Sequence, residues 1–204
     1  MVIHADRDLV VVDKPPGLLS VPGRGPENAD CVVSRLSTSY PRLFAAHRLD
    51  MATSGVLVFA LRRAGERDLH RQFRERGVAK QYVARVHGHP GDDEGEIDLP
   101  LLVVPGTGRS RVDPGGKPSA TRWRVLSRDG DGTALLSLSP LTGRSHQIRV
   151  HLAATGFPVL GDRFYAPDEV VARAPRLLLH AAQISLDHPY SRARVTFSAP
   201  VPFA

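Results

Sequence analysis

Residues 47–55 of this 204-residue chain read HRLDMATSG, a polar run that leads directly into the apolar stretch GVLVFAL at residues 55–61. The apolar stretch predicts a buried strand, because short apolar runs bounded by turn-forming residues are typical of one. Asp50, followed by Thr53 and Ser54, fits a turn capped by side-chain hydrogen bonds before that strand. Taken alone, Asp50 is compatible with an ordinary turn residue as well as with a functional carboxylate.

The helix and strand patterns around this run predict the fold class. Residues 63–76 predict a helix that ends at Gly77, with four arginines on one face and Leu69 and Phe73 on the side of the core. A second helix is predicted over residues 145–155, and residues 101–118 are predicted to form a long polar loop. Strands are predicted at residues 9–12, 55–61, 82–86, 123–126, 134–138, 177–186 and 194–197. We therefore expect an α+β domain built on a mixed, largely antiparallel central sheet with flanking helices.

Composition predicts one globular domain over residues 1–204. The chain is 42% hydrophobic, 24% charged and 6% aromatic, which is typical of a globular domain. Its single cysteine, Cys31, cannot form an intrachain disulfide, so we expect a cytoplasmic location. No apolar run approaches ~18 residues and the first residues lack the pattern of a signal peptide, which argues against a membrane span.

The charge balance predicts a polyanionic partner. Lysine and arginine total 27 against 21 acidic residues, a net charge of +6. All but three of these cations are arginines, the side chain that pairs with phosphate in a fork and stacks on bases. A GC-rich genome would produce the same arginine bias, so both explanations stay open.

Motif spacing argues against several classes of enzyme. The nine histidines include no His-Glu-x-x-His pair, and His146 and His151 are five residues apart, so no metal site is predicted. A Gly-x-Ser-x-Gly nucleophile motif is also missing from the sequence. Neither a dinucleotide-binding glycine pattern nor a Walker-type loop occurs.

Three segments place polar residues inside otherwise apolar sequence, at residues 47–55, 80–82 and 141–152. In combination they resemble the RluA-type pseudouridine synthases, whose signature HRLDxxTSG is matched by residues 47–55. The similarity extends nearly over the whole chain, through residues 17–24, 80–86, 142–152, 158–165 and 177–181. Within the family the chain resembles most the short members that modify both 23S rRNA and the anticodon stem-loop of tRNA.

The resemblance implies an RNA-modifying isomerase with a basic catalytic cleft and no cofactor. It implies that Asp50 is the catalytic carboxylate, that Tyr82 is the active-site tyrosine, and that Arg149 pairs with Asp50. A nearby arginine would keep a carboxylate ionised, and a tyrosine can stack on uracil and present its hydroxyl near C5. Arg48 is expected to fill the gap left by the extruded base.

The resemblance also predicts contacts with structured RNA. His47, Arg144 and His146 are expected to join Arg48 in RNA binding or base flipping. Because the chain begins a few residues before its first predicted strand, we expect a single catalytic domain without an N-terminal RNA-binding accessory domain. We further expect a monomer that uses no metal.

Two other classes of function stay open. A non-catalytic RNA-binding or ribosome-assembly factor would carry the same positive charge, although binding alone does not need a carboxylate such as Asp50. An N-glycosidase would share the first bond-breaking step, but hydrolysis calls for a second carboxylate to activate water, and no motif supplies one.

Overall fold

The computed structural model describes residues 1–203, which form two compact units. Unit 1 consists of Met1–Lys80 and Ala181–Val201, and unit 2 consists of Gln81–His180 with the end of the chain from Pro202. No helix within residues 1–203 combines the length and the apolar character that a membrane crossing requires.

The described residues form twelve strands, four α-helices and one short 3₁₀ helix at Pro26–Asn28. The strands are β1 (Val2–Ala5), β2 (Leu9–Lys14), β3 (Phe44–Ala45), β4 (Ser54–Ala60), β5 (Ala79–His87), β6 (Glu94–Asp98), β7 (Leu101–Val104), β8 (Arg109–Val112), β9 (Ala120–Asp129), β10 (Thr133–Pro140), β11 (Leu179–Asp187) and β12 (Arg194–Ser198). The helices are α1 (Val32–Leu36), α2 (Arg63–Arg74), α3 (Gln147–Ala154) and α4 (Asp168–Val171).

Unit 1 is built on the strand order β1-β2-β4-β11, with β3 on β4 and β12 on β11. β2 and β4 pair antiparallel from Leu9 opposite Ala60 to Lys14 opposite Gly55, and every residue of β4 is buried. As predicted, α2 turns Leu69 and Phe73 toward this core. The predicted strands before and after residues 47–55 are thus confirmed, and together they position that run.

Unit 2 carries the antiparallel strand order β5-β10-β9-β6. β9 and β10 form the predicted hairpin, with Asp129 opposite Thr133 beside the turn. An α+β fold with a mostly antiparallel sheet and few helices is therefore confirmed.

Residues 101–118 are not the polar loop that the sequence predicts. β7 and β8 form an antiparallel hairpin, with Leu101 opposite Val112 and Val104 opposite Arg109. Gly106 and Gly108 have φ values of 76° and 66° in the connecting turn, a conformation that glycine adopts without steric cost. The glycines and charged residues of this stretch led to the prediction of a polar loop, but the alternation that buries Ser110 and exposes its neighbours is that of a strand.

The predicted helix over residues 145–155 is shorter than expected. α3 begins at Gln147 because His146, at the N-cap, has a left-handed φ of 56°. The short helix α1, which the sequence pattern did not predict, is capped by Cys31. Its sulfur accepts a hydrogen bond from the Ser34 N–H at 3.3 Å, so the single cysteine has a local structural role.

Candidate active site

Asp50 lies on a turn of unit 1 whose neighbouring residues are held by a second loop. On one side, Leu49 exchanges two hydrogen bonds with the Ser20 hydroxyl, at 2.9 and 3.1 Å. On the other side, the Met51 carbonyl accepts a hydrogen bond from the Gly17 N–H at 2.8 Å. The half-buried carboxylate of Asp50 is thus presented by a backbone that is fixed on both sides.

The end of the same run closes the turn and leads into β4. The Thr53 N–H donates to the Asp50 carbonyl at 3.1 Å and closes the turn. Gly55 has a φ of 112°, and a side chain at this position would collide with the backbone of Ala181. The turn that carries Asp50 therefore depends on a glycine where β4 begins.

Lys14, the last residue of β2, connects this turn to the loop that follows β2. Its side chain is fully buried, and Nζ donates to the carbonyl oxygens of Pro15 at 2.9 Å, Leu18 at 2.8 Å and Met51 at 3.0 Å. Burial lowers the pKa of Lys14 to about 8, and the negative charge of Asp50 opposes that lowering. Lys14 therefore lies within the electrostatic field of Asp50 and holds the adjacent carbonyl.

We expect Lys14→Met to lower the free energy of unfolding by about 2 kcal/mol, because three carbonyls lose a charged donor while the buried apolar stem is kept. Urea unfolding monitored by circular dichroism measures this loss. Lys117→Met, at an exposed lysine, is the matched control and should change stability by less than about 0.5 kcal/mol. Equal midpoints for the two variants would contradict the tethering role of Lys14.

His47 and Arg48 precede the Asp50 turn but differ in environment. Arg48 is exposed. His47 accepts a hydrogen bond at Nε2 from the Val58 N–H at 3.0 Å, and its ring centroid lies 4.9 Å from that of Phe73. Burial, with a smaller effect of the Lys80 charge, lowers the pKa of His47 to about 3. His47 is thus a neutral side chain held between β4 and α2, whereas Arg48 faces solvent.

The low pKa of His47 makes stability depend on pH. Its ordinary value is 6.5, so between pH 6.5 and about 3 the unfolded chain binds more protons than the folded chain. Stability is therefore expected to fall as pH drops through this range, by about 2 kcal/mol at pH 5 from this group. Urea unfolding at pH 7, 6 and 5 measures the slope.

The variant His47→Gln isolates this contribution, because glutamine keeps an acceptor for Val58 but does not titrate. We expect a shallower loss of stability on acidification in this variant. His70→Gln, at an exposed histidine of α2, should retain the slope of the unsubstituted protein. If His47→Gln also retained that slope, the assignment of the pH dependence to His47 would be wrong.

Tyr82 lies in unit 2, on β5, opposite Leu138 of β10. The neighbouring Gln81 donates a side-chain hydrogen bond to the Ser137 hydroxyl at 3.0 Å. Tyr82 is only partly buried, whereas Val83 and the following residue are buried. Its ring is therefore presented from a paired strand, on a backbone with little freedom to move.

Arg149 lies on α3 of unit 2 and is 4% exposed. Its guanidinium forms a bidentate pair with Asp162, from Nε to Oδ2 at 2.8 Å and from NH2 to Oδ1 at 2.6 Å. Asp162 is itself 1% exposed and also accepts a hydrogen bond from the Phe164 N–H at 3.0 Å. Asp162 thus orients Arg149, and the pairing of Arg149 with Asp50 stays a prediction.

His146 and Arg144 lie just before α3 in the same unit. The Nδ1 atom of His146 is 2.6 Å from the hydroxyl of Tyr165, and the Arg149 guanidinium lies 5.0 Å from the centroid of that ring. Arg144 is exposed, with two guanidinium nitrogens 3.4 Å from the Pro118 carbonyl. The structure thus brings His146 and Arg149 together around Tyr165, and the predicted RNA contacts of His146 and Arg144 stay predictions.

One group of potential metal ligands occurs among residues 1–203, formed by Asp6, Asp8 and His188. The Nδ1 atom of His188 accepts hydrogen bonds from the N–H groups of Tyr190 and Ser191, at 3.3 and 3.2 Å. The ring proton of the neutral histidine is then on Nε2, which lies 3.2 Å from the Asp6 carboxylate. The group therefore fits a hydrogen-bonded cluster better than a set of metal ligands.

Sequence reasoning did not assign roles to Lys14 and Asp162. Both carry a signal that was available in the sequence. Lys14 is a charged residue at the end of an apolar strand, and Asp162 directly follows the apolar segment PVLG. Buried charged residues are rare unless paired, so charged residues in such positions are candidates for positioning a site.

Comparisons with known proteins connect this geometry to a family. Residues 8–154 match the family described as RNA pseudouridylate synthase. The dual-specificity RNA pseudouridine synthase RluA of Escherichia coli (strain K12) is 52% identical over 205 residues, which covers 100% of this chain and 94% of that protein. The protein of the same name from Yersinia pestis is 53% identical over 191 residues, 93% of each chain.

A solved structure shows the same fold. Human RNA Pseudouridylate Synthase Domain Containing 1 superimposes with a TM-score of 0.83 at 31% identity, over 100% of this chain and 84% of the human chain. The sequence and structure matches include residues of both units.

Proposed function

This chain belongs to the RNA pseudouridylate synthase family, and on that premise we propose that it isomerises specific uridines in a stem-loop shared by 23S rRNA and tRNA. It is an isomerase that converts uridine to pseudouridine in RNA. The dual specificity of relatives that are 52–53% identical supports the proposed pair of substrates. The observation that carries the proposal is the Asp50 turn, which presents a carboxylate on a backbone fixed on both sides.

The reaction needs no redox partner, because its atoms balance within the substrate. The bond between N1 of uracil and C1′ of the ribose breaks, the base rotates, and a bond forms between C5 and C1′. The proton on C5 is lost and N1 acquires one. The protein must therefore promote glycosidic cleavage, retain the free base and move one proton.

We assign the first of these tasks to Asp50. An ionised carboxylate can attack C1′ of the ribose, stabilise positive charge on it, or remove a proton from the sugar. The assignment of Asp50 is compatible with each of these routes. Lys14 supports the assignment, because its buried ammonium holds the Met51 carbonyl next to Asp50. A carboxylate on a fixed turn keeps its orientation when the substrate binds, which lowers the cost of reaching the reactive geometry.

Tyr82 and Arg149 are proposed to complete the site. The ring of Tyr82 would stack on the detached uracil, and its hydroxyl would exchange the C5 proton. Arg149 would supply a positive charge that keeps Asp50 ionised. Its bidentate pair with Asp162 fixes the direction of the guanidinium and supports a positioned cation rather than a mobile one.

The target base must leave its stack before it can react, at a cost of a few kcal/mol. We propose that Arg48 fills the vacated space, since it is exposed and adjoins the Asp50 turn. Arg144 is exposed beside α3 and is proposed to contact the RNA backbone. We propose that His47 and His146 also take part in RNA binding or base flipping, and their contacts inside their units would hold them in place for that role.

We propose further that residues 1–204 act as a single catalytic domain, because the family match at residues 8–154 includes parts of both compact units. The proposed enzyme acts as a monomer in the cytoplasm, where rRNA and tRNA are found, without a metal or cofactor. Size-exclusion chromatography with light scattering measures the molar mass in solution and so tests whether the protein is a monomer.

The experiment that tests the function is site-resolved mapping of pseudouridine in 23S rRNA and tRNA transcripts incubated with the purified protein. We expect a signal at a stem-loop of the same sequence in both RNAs. A signal in one RNA only would support the isomerase activity but contradict the proposed dual specificity. No signal in either RNA or in total cellular RNA would favour the non-catalytic RNA-binding factor, and release of free uracil would favour the N-glycosidase.

A further inference from the structure

Phe164 is a large aromatic side chain that the fold leaves exposed. It is 44% exposed, although it follows the buried Asp162 by only two residues. Its neighbour Arg163 is exposed as well. Exposed apolar residues are common singly, so the exposure of Phe164 by itself assigns no role.

The position of Phe164 is nevertheless tightly held. Its N–H donates to Oδ1 of Asp162 at 3.0 Å, the same oxygen that accepts from Arg149. The Phe164 ring centroid lies 5.7 Å from that of His146 and 6.3 Å from that of Tyr165, which meets it edge-on. The guanidinium carbon of Arg149 also lies 5.2 Å from the Phe164 ring centroid. A buried ion pair and two rings thus fix a partly exposed ring, and a fixed ring loses little entropy when a ligand stacks on its exposed part.

The β7–β8 hairpin adds a cation to this surface. The guanidinium carbon of Arg109 lies 4.5 Å from the centroid of the Phe164 ring. The hairpin is held there because the Ser110 N–H donates to the Tyr165 hydroxyl at 2.9 Å. Arg109 is therefore placed by its strand above Phe164, on a hairpin attached to the adjacent aromatic residue.

The charges around Phe164 distinguish this surface from an ordinary exposed face. Within the described chain, Arg109 and Arg163 form no ion pair with a carboxylate, whereas many other arginines, such as Arg122 with Glu96, do. Two uncompensated cations beside an exposed ring match a ligand that is both anionic and aromatic. A single-stranded nucleotide has both properties, because its base stacks on rings and guanidinium planes and its phosphate attracts arginine.

We propose that Phe164 and Arg109 form a stacking site for an unpaired nucleobase of the RNA substrate, with Arg163 close to the phosphate backbone. This inference rests on the proposed function, since it assigns part of the RNA to a surface of unit 2. The site lies next to Arg149 through the shared Asp162 carboxylate, so the bound nucleotide is one near the target uridine. Neither Phe164 nor Arg109 takes part in the isomerisation itself.

The test compares the binding of a pool of unmodified tRNA transcripts to the protein and to Phe164→Leu, by filter binding at several salt concentrations. Leucine keeps an apolar side chain but removes the stacking surface. We expect the affinity to fall about fivefold or more, with an unchanged dependence on salt. Arg109→Gln should weaken binding and reduce the salt slope by about one, because one phosphate-attracting charge is lost.

Two controls make the result specific to this surface. Phe164→Trp retains a stacking ring and should bind within about twofold of the unsubstituted protein. Tyr190→Leu removes an exposed aromatic residue of unit 1, 75% exposed, and should leave the affinity unchanged. Thermal unfolding of each variant checks that the fold is kept, as expected for substitutions at exposed side chains.

The outcomes separate this inference from the proposed function. Equal RNA affinity for Phe164→Leu and the unsubstituted protein would overturn the stacking site, whether or not pseudouridine forms. Loss of affinity in Phe164→Leu together with pseudouridine formation by the unsubstituted protein supports both. The same loss without pseudouridine formation would support the stacking site and contradict the enzyme, and an unsubstituted protein that binds no RNA would contradict both.

Discussion

Asp50→Asn is expected to abolish pseudouridine formation, with a fall in the single-turnover rate of at least about 10³-fold. Asparagine has nearly the same shape as aspartate but carries no charge, so it cannot act as a nucleophile or as a base. The backbone hydrogen bonds that hold the turn come from Leu49 and Met51 and do not involve the carboxylate. RNA affinity is therefore expected to stay within about tenfold, or ~1.4 kcal/mol.

The measurement uses mapped RNA as substrate for single-turnover kinetics and filter binding for affinity. Asp30→Asn is the matched control, because Asp30 is an exposed aspartate of the same unit that pairs with Arg35 at the surface. The control should retain turnover. Turnover by Asp50→Asn at the rate of the control would show that the reaction does not need the Asp50 carboxylate. A loss of RNA binding in parallel with turnover would indicate a binding role instead.

Arg149→Met is expected to lower the free energy of unfolding by about 3–5 kcal/mol. The substitution removes one partner of a buried ion pair and leaves the Asp162 carboxylate, which is 1% exposed, without its bidentate donor. An unpaired buried charge retains its desolvation cost but loses the compensating attraction. Urea unfolding measures the change, and turnover should fall as well because the proposed cation is absent.

Two comparisons test this explanation. Arg122→Met breaks an exposed pair with Glu96 and should cost at most about 1 kcal/mol. Combining Arg149→Met with Asp162→Leu removes both charges and should recover part of the stability lost by Arg149→Met alone. If Arg149→Met cost no more than Arg122→Met, the buried pair would not be a major contributor to stability.

Local patterns explain which parts of the fold could be predicted from the sequence. Strand β4 and the β9–β10 hairpin were predicted because apolar runs and a turn with two glycines depend on nearby residues only. The hairpin at residues 101–112 was missed because its glycines and charged residues have the composition of a loop. Its pairing becomes evident only when Leu101 lies opposite Val112.

The candidate site, like the fold, could be predicted from the sequence only in part. Asp50, Tyr82 and Arg149 were proposed from the resemblance to a family, which the motifs carry because residue types and their order are properties of the chain itself. The sequence did not predict the hydrogen-bond partners that hold the site residues in place. Asp162, which holds Arg149, is 13 positions away along the chain, and the Met51 carbonyl, which Lys14 holds, is 37 positions away.

By itself, the sequence determined the reaction class, the carboxylate proposed to act in it, and the antiparallel α+β fold. Only the tertiary structure decided that His47 is a neutral side chain packed between β4 and α2, that Asp162 orients Arg149, and that Phe164 is held at the surface beneath Arg109. The physical reason is that residue type and local spacing set the available chemistry, whereas burial, ionisation and hydrogen-bond partners depend on which distant segments pack together.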